Sequence, residues 1–366
     1  MYIYSTNLEE IIEVLIRDFK DKTVVISLAE NTNFDINELI ECLVENDIQF
    51  IGGIFPKIIH NVQVFEQGMI LTGFSDVEKT FLVEGLNTTD FEVPSLELDS
   101  TKDNFFFTFV DGLTTNLSLY LSELYSQFGS NMAYFGSGAG SLSLKQIPCV
   151  FNKDGIFQDA AVGFIAQSKV ALGVKHGWKR VAGPFIATKT EKNVIKQINW
   201  QNAFEVYKTI VEEHGKAEIR KDNFFDISKA YPFGILKDNS EYVVRDPLSV
   251  TDEGELVCIG EVLENTVMDI LKGDNETLVK AAEDAAEAVI DQLEFPHHAY
   301  ISDCISRVLF LEDDYHLELE AILGKLYKNG KQIPLEGALT LGEISSFGDG
   351  YLQLFNKTVV IGLFEK

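Results

Sequence analysis

The sequence predicts an α/β protein of two abutting domains, built from related strand–helix–strand units around mixed β-sheets. Three observations carry that expectation. An apolar strand, an amphipathic helix and a second strand recur three times along the chain. Each recurrence runs into a glycine-bearing turn and then a further strand. The chain has 366 residues, and one hydrophobic core usually stops growing near roughly 250–300 residues, so two domains are expected.

Unit one reads TVVISLA at 23–29, FDINELIECLVEN at 34–46 and QFIGGIF at 49–55. Its helix sets Ile36, Leu39, Ile40 and Leu43 on one face. Unit two reads NFFFTFVDG at 104–112, LSLYLSELYSQF at 117–128 and MAYFGSGAG at 132–140. Unit three reads HAYISDCISR at 298–307, YHLELEAILGKLY at 315–327 and PLEGALTLGEI at 334–344. The closing strands are GMILTGF at 68–74, DAAVGFIA at 159–166 and KTVVIGLF at 357–364. Strand–helix–strand order argues for sheets covered by helices, and the hairpin-like closings for sheets that are mixed rather than parallel throughout.

A different region, 168–295, separates units two and three. It opens with two or three strands to about residue 198. NAFEVYKTIVEEHG at 202–215 reads as a helix ended by glycine. YPFGILKDNSEYVVRDPLSV reads as a hairpin around Asp238-Asn239. ELVCIGEVLENTVMDILKGD gives strands, and ETLVKAAEDAAEAVIDQL at 276–293 an Ala-rich helix. With no Pro/Gly/Ser-rich linker, the domains should abut closely, with a boundary near Asn199 that divides 1–198 from 199–366.

Composition narrows the function. The formal charge is −27, which repels phosphate backbones, and KHGWKR at 175–180 is the densest basic stretch, so no nucleic-acid partner is expected. A local basic site on such a chain would attract an anionic ligand strongly. MYIYSTNLEEII has no basic region followed by an apolar core, and no apolar run approaches a membrane span, so neither a signal peptide nor a membrane partner is expected. Cys42, Cys149, Cys258 and Cys304 are far apart and the histidines form no cluster, so the expectation is a reducing cytoplasm, no metal and no cofactor.

Several residues could carry chemistry. Gly136-Ser137-Gly138-Ala139-Gly140 could bring backbone N–H donors close to a ligand, or form a tight turn packed under another strand. It lacks the lysine of a nucleotide-binding loop. Cys304 could be a nucleophile activated by Arg307, with His316 in the same unit, or a buried inert thiol. Arg307 offers a planar donor fork for a carboxylate or phosphate, or pairs structurally with Glu343 or another acid. Glu343, after Gly342, could accept an amine. His176 and Trp178 could wall a pocket, or Trp178 could fill core. Arg245 in YVVRD faces solvent or a buried partner, and Asn356 sits at a turn.

The order of motifs adds a resemblance. GSGAG at 136–140, HGW at 176–178, GPFIAT at 183–188, INWQNAFEVY at 198–207, YPFGI at 231–235 and VVR at 243–245 come first. SDCISR at 302–307, GALTLGEI at 337–344 and FNKTVV at 355–360 follow. This series resembles the FIST family, with its paired N-terminal and C-terminal sensory domains, from about residue 23 to the end. The resemblance implies a sensory module in signal transduction for a small ligand, an amino acid or related metabolite. Such modules occur alone or fused to an output domain; none is visible here, so a separate signalling protein would be the partner.

The leading reading is therefore non-catalytic binding of an amino acid or small carboxylate. Gly136, Ser137, Gly138 and Gly140 would supply donors, Arg245 or Arg307 would take the carboxylate, and Glu343 beside Gly342 the amine. His176, Trp178, Cys304 and Asn356 complete the candidate site. The alternatives are an enzyme using Cys304 and a protein-docking scaffold without a metabolite.

Overall fold

A computed structural model describes residues 1–365 except 6, 34, 96–101, 131, 216, 237–241 and 348–350. The three recurrences are real βαβ units. Thr23–Ala29 runs parallel to Gln49–Phe55, Asn104–Asp111 to Met132–Ala139, and Pro296–Cys304 to Leu335–Thr340. The connection in unit one is the helix Ile36–Glu45, whose N-cap Asp35 accepts the Asn37 N–H and which buries Leu39, Ile40 and Leu43. In unit two it is Leu117–Phe128. In unit three it is a pair of helices, Ile305–Leu311 and Tyr315–Lys325. The strand expected to reach Arg307 ends at Cys304, which takes an extended N-cap conformation (φ −67°, ψ 127°), so Ser306 and Arg307 open a helix instead.

Each unit closes as the repeat predicts. Met69–Phe74, Ala161–Gln167 and Val359–Glu365 lie antiparallel to the first strand of their own unit. Between return strand and closing strand, every unit sends a hairpin into a neighbour's sheet. The hairpin Lys57–His60/Gln63–Phe65 of unit one pairs with Leu335–Thr340 of unit three. Val150–Asn152/Gly155–Phe157 of unit two pairs with Gln49–Phe55 of unit one. Glu343–Phe347/Tyr351–Phe355 of unit three pairs with Met132–Ala139 of unit two. The result is three six-stranded sheets locked in a ring by cyclic exchange.

The glycines mark where the parallel strands of a unit bring backbones together. A Cβ on Gly337 would lie 2.0 Å from the Ile301 carbonyl oxygen, and one on Gly136 would lie 2.6 Å from that of Thr108. Between the sheets, Phe107, Phe109, Phe135, Phe164, Phe364 and Tyr300 interdigitate, with ring centroids 5–6 Å apart in offset or edge-on arrangements. These phenylalanines are thus the filling of the ring.

Residues 179–272 form a separate sheet inserted between Val170–Lys175 and the helix Asn275–Ile290 of unit three. Its strands run Lys179–Glu191, Thr266–Lys272, Phe233–Leu236, Tyr242–Val250, Leu256–Ile259 and Val194–Ile198, and the last pairs back onto the first. That closes a barrel and removes its edges. Tyr207, Val211, Phe224, Phe233 and Ile270 fill it, with the helix Ala203–Gly215 alongside. Asn199 lies inside this barrel, in the turn between Val194–Ile198 and Gln201–Asn202. The hairpin tip expected at Asp238-Asn239 falls outside the described residues.

Candidate ligand site between core and barrel

The first and return strands of unit three are parallel, and their carboxyl ends point at the inserted barrel. The carboxyl ends of parallel strands are where open α/β sheets commonly bind ligands. The turn 356–358, which leads into the closing strand, is the meeting point. Asn356 Oδ1 lies 3.5 Å from Arg245 Nη1. The Lys357 carbonyl accepts from Trp178 Nε1 and Arg307 Nη1, both at 3.1 Å. The Thr358 N–H donates to Glu343 Oε2 at 3.4 Å. Residues far apart in sequence therefore converge on three consecutive positions.

Convergence does not make each of them available. Arg307 is fully buried and every N–H it carries is engaged. Nε and Nη2 grip the two Glu318 oxygens at 2.9 and 2.6 Å. Nη1 also donates to the His176 carbonyl at 2.6 Å, and Nη2 to that of Leu278 at 3.0 Å. Asp303 stands 3.5 Å away. Burial alone would lower this guanidinium's pKa, but the Glu318 charge and hydrogen bonds outweigh it and hold it above the usual value. The expectation that Arg307 takes a ligand carboxylate is corrected: its fork is spent on Glu318, not on Glu343.

Glu343 is likewise committed. Thr340 Oγ1 donates to it at 2.8 Å, and the Thr358 N–H at 3.4 Å. Burial pushes the Glu343 carboxyl well above the ordinary range, so it is a poor anchor for an amine. Cys304 is pushed up too, by burial and then by Glu343, which is the reverse of an activated nucleophile. His316 is exposed, with Nδ1 against the Asp313 carbonyl.

The glycine segment is also corrected. Gly136, Ser137, Gly138 and Ala139 lie within a strand rather than a turn. The Gly138 N–H donates to Gly342 O at 2.7 Å and the Gly140 N–H to Ile54 O at 2.8 Å, so neither is left for a ligand. Ser137 Oγ donates to Ser302 Oγ at 2.9 Å. Gly342 (φ 133°) lets the chain enter the exchanged hairpin that carries Glu343. Trp178 is core: its ring packs on Phe310, and it stands beneath the Lys357 ammonium at 4.9 Å. His176 Nδ1 accepts the Trp178 N–H at 2.9 Å. Both line a cleft of about 490 Å³ with Lys175, Lys179 and Thr277, where the chain crosses from core to barrel.

Arg245 is different. It is 7% exposed, and all its hydrogen bonds go to neutral oxygens. Nε donates to Glu261 O at 2.9 Å, and Nη1 to Val244 O and Leu354 O at 3.0 and 3.2 Å. Among the described residues no carboxylate comes within ion-pair distance. Burial lowers its pKa to about 10, with weak compensation from Cys258 and Glu261. Beside it, Asn356 is fully buried and its Nδ2 has no hydrogen-bond partner among the described residues.

Two charged residues escaped the sequence reading. Lys357 and Asp246 are both fully buried and pair at 3.1 Å across the junction. Ser306 Oγ also donates to Asp246 at 2.9 Å. Burial raises the Asp246 pKa, while Lys357 and Ser306 partly offset it. The signal was adjacent: Asp246 follows Arg245 in VVRD, and Lys357 follows Asn356 in FNKTVV.

A ring of βαβ units with a barrel set over its strand ends defines a two-part α/β protein whose halves share one polar junction. Residues 23–201 match the FIST N domain and residues 203–346 the FIST C domain. The chain belongs to the FIST family, whose domains are sensory and act in signal transduction. A search among curated proteins finds no match. The two matched segments are woven together, since the hairpin of unit one completes the sheet of unit three.

Proposed function

We propose that this chain senses a small carboxylate-bearing metabolite, an amino acid in the leading case, held without catalysis between Arg245 and Asn356. The observation that supports this is a buried guanidinium with no carboxylate within ion-pair distance among the described residues. Removing a charge from water without a partner is costly, and a ligand carboxylate would offset that cost with a planar, two-pronged pairing. The orphaned Asn356 Nδ2 would donate to the same group. Arg245 comes from the barrel and Asn356 from the core, so a bound ligand favours one placement of the two bodies by its differential affinity. Output then passes to a separate signalling protein. The four unpaired thiols suit a reducing cytoplasm.

The competing reading, Cys304 as a nucleophile, has against it a buried thiol held protonated by its surroundings. The experiment that tests the proposal is a thermal-shift series with amino acids and small carboxylic acids. A ligand at 100 times its dissociation constant should add about 2.7 kcal/mol of stability. Arg245→Gln should abolish the shift. A ligand that stabilises the variant as well as the wild type would place the site elsewhere.

A further inference from the structure

We infer that Lys357 is the pivot on which the barrel moves relative to the core, a positioning residue for the Arg245–Asn356 seat; the inference rests on the ligand reading above. Two dipeptides face each other across the junction, Asn356-Lys357 on the core and Arg245-Asp246 on the barrel. They form two cross-body contacts of unequal strength. Lys357 Nζ meets Asp246 Oδ2 at 3.1 Å, with no exposed surface on either side chain. The same ammonium donates to the Lys229 carbonyl of the barrel at 2.9 Å. The neighbouring contact, Arg245 to Asn356, is 3.5 Å long, at the limit of a hydrogen bond. A group entering between Arg245 and Asn356 therefore breaks the weaker contact and leaves the stronger.

The backbone of Lys357 ties the pivot to the hinge. Its φ of 53° turns its carbonyl toward Trp178 Nε1 and Arg307 Nη1. The same Arg307 nitrogen holds the His176 carbonyl. His176 and Trp178 lie where the chain leaves the core for the barrel. One residue thus binds the barrel through its side chain and the hinge through its carbonyl. Val243 and Val244 of the barrel pack into the core clusters, so the motion is a small rotation rather than a wide opening.

The test uses the full chain with Cys42→Ser, since the other three cysteines are buried. Nitroxide labels on Glu205→Cys of the barrel and Lys153→Cys of the core report the distance between the bodies. With Lys357 present, the distance distribution should be single and narrow. Lys357→Met should broaden it and lengthen its mean, and Lys357→Arg, which keeps a cation against Asp246, should restore it. Should Lys357→Met not fold, Asp246→Asn gives the same readout and should broaden the distribution in the same way. A folded Lys357→Met, or a folded Asp246→Asn, with the wild-type distribution would overturn the pivot. No ligand enters this measurement, so its failure overturns the pivot and leaves the Arg245 seat standing, whereas a failed ligand screen removes the seat that Lys357 would position and leaves the measured distances unchanged.

Discussion

Arg307 ends on oxygens from four places in the fold: Glu318 on one helix, Leu278 on another, His176 at the hinge and Lys357 at the turn. A lysine in its place would present one ammonium to the same array and leave several acceptors bare. Removing one partner of a buried ion pair costs about 3–5 kcal/mol. Arg307→Met, which leaves the Glu318 carboxylate buried without its cation, should therefore lower the urea-unfolding free energy by an amount of that order, and a change within error would mean the array is not structural. Sequence marked Arg307 for its donor fork at the end of an expected core strand, and Arg245 for its apolar flanks. It did not say which was spent, because that depends on Glu318, which lies on the following helix and reads as a solvent-facing acid. Asp246 and Lys357 were missed for a related reason: a charged residue next to a more conspicuous one draws no notice until burial is known.

At the scale of the element, the repeat was legible because each unit carries its own hydrophobic period, seven buried residues in TVVISLA and eight in NFFFTFVD. The exchange of hairpins was not. Lys57–His60 is a short strand whose pattern says that it pairs, never with which sheet. Glycine is the residue that records the close approach of strands within a unit. At Gly337 (φ 156°) a methyl would meet the Ile301 carbonyl at 2.0 Å, in backbone that cannot yield without breaking the ladder. Overpacking a core costs about 1–3 kcal/mol and more where backbone must shift. Gly337→Ala should fall at or above the top of that range by chemical denaturation. Near-neutral behaviour would show that the two strands have slack.

Across the whole molecule, His298 links stability to pH. It lies 7% exposed between Phe74 and Phe364, and burial, opposed by the Glu336 charge and aided by His297, the N-terminus and Lys22, lowers its pKa to about 4. The unfolded chain takes up this proton as pH falls below about 6.5, whereas the folded chain takes it up only near pH 4. The unfolded state therefore binds more protons in that window. The stability conferred by His298 is complete above pH 6.5 and is lost as pH falls toward 4. Asp246, Asp303 and Glu343, pushed up by burial, act in the opposite sense, so the comparison needs a variant. Between pH 7 and pH 4, wild type should lose about 3 kcal/mol relative to His298→Phe. Parallel pH profiles would show that the imidazole titrates normally. The overall α/β class was readable from element order, but the ring was not, since nothing in a single unit reveals that three of them close on one another around a phenylalanine core.

The ligand site depends on which guanidinium is free to receive a carboxylate. The chain's arginines are Arg17, Arg180, Arg220, Arg245 and Arg307, few enough for each Nε–H to be resolved in a protein labelled with ¹⁵N-arginine. Titrating in a carboxylate from the stabilising set should move the Arg245 Nε–H signal and leave that of Arg307 in place. Movement at Arg307 with Arg245 silent would contradict the site, and with it the sensory mechanism argued from it.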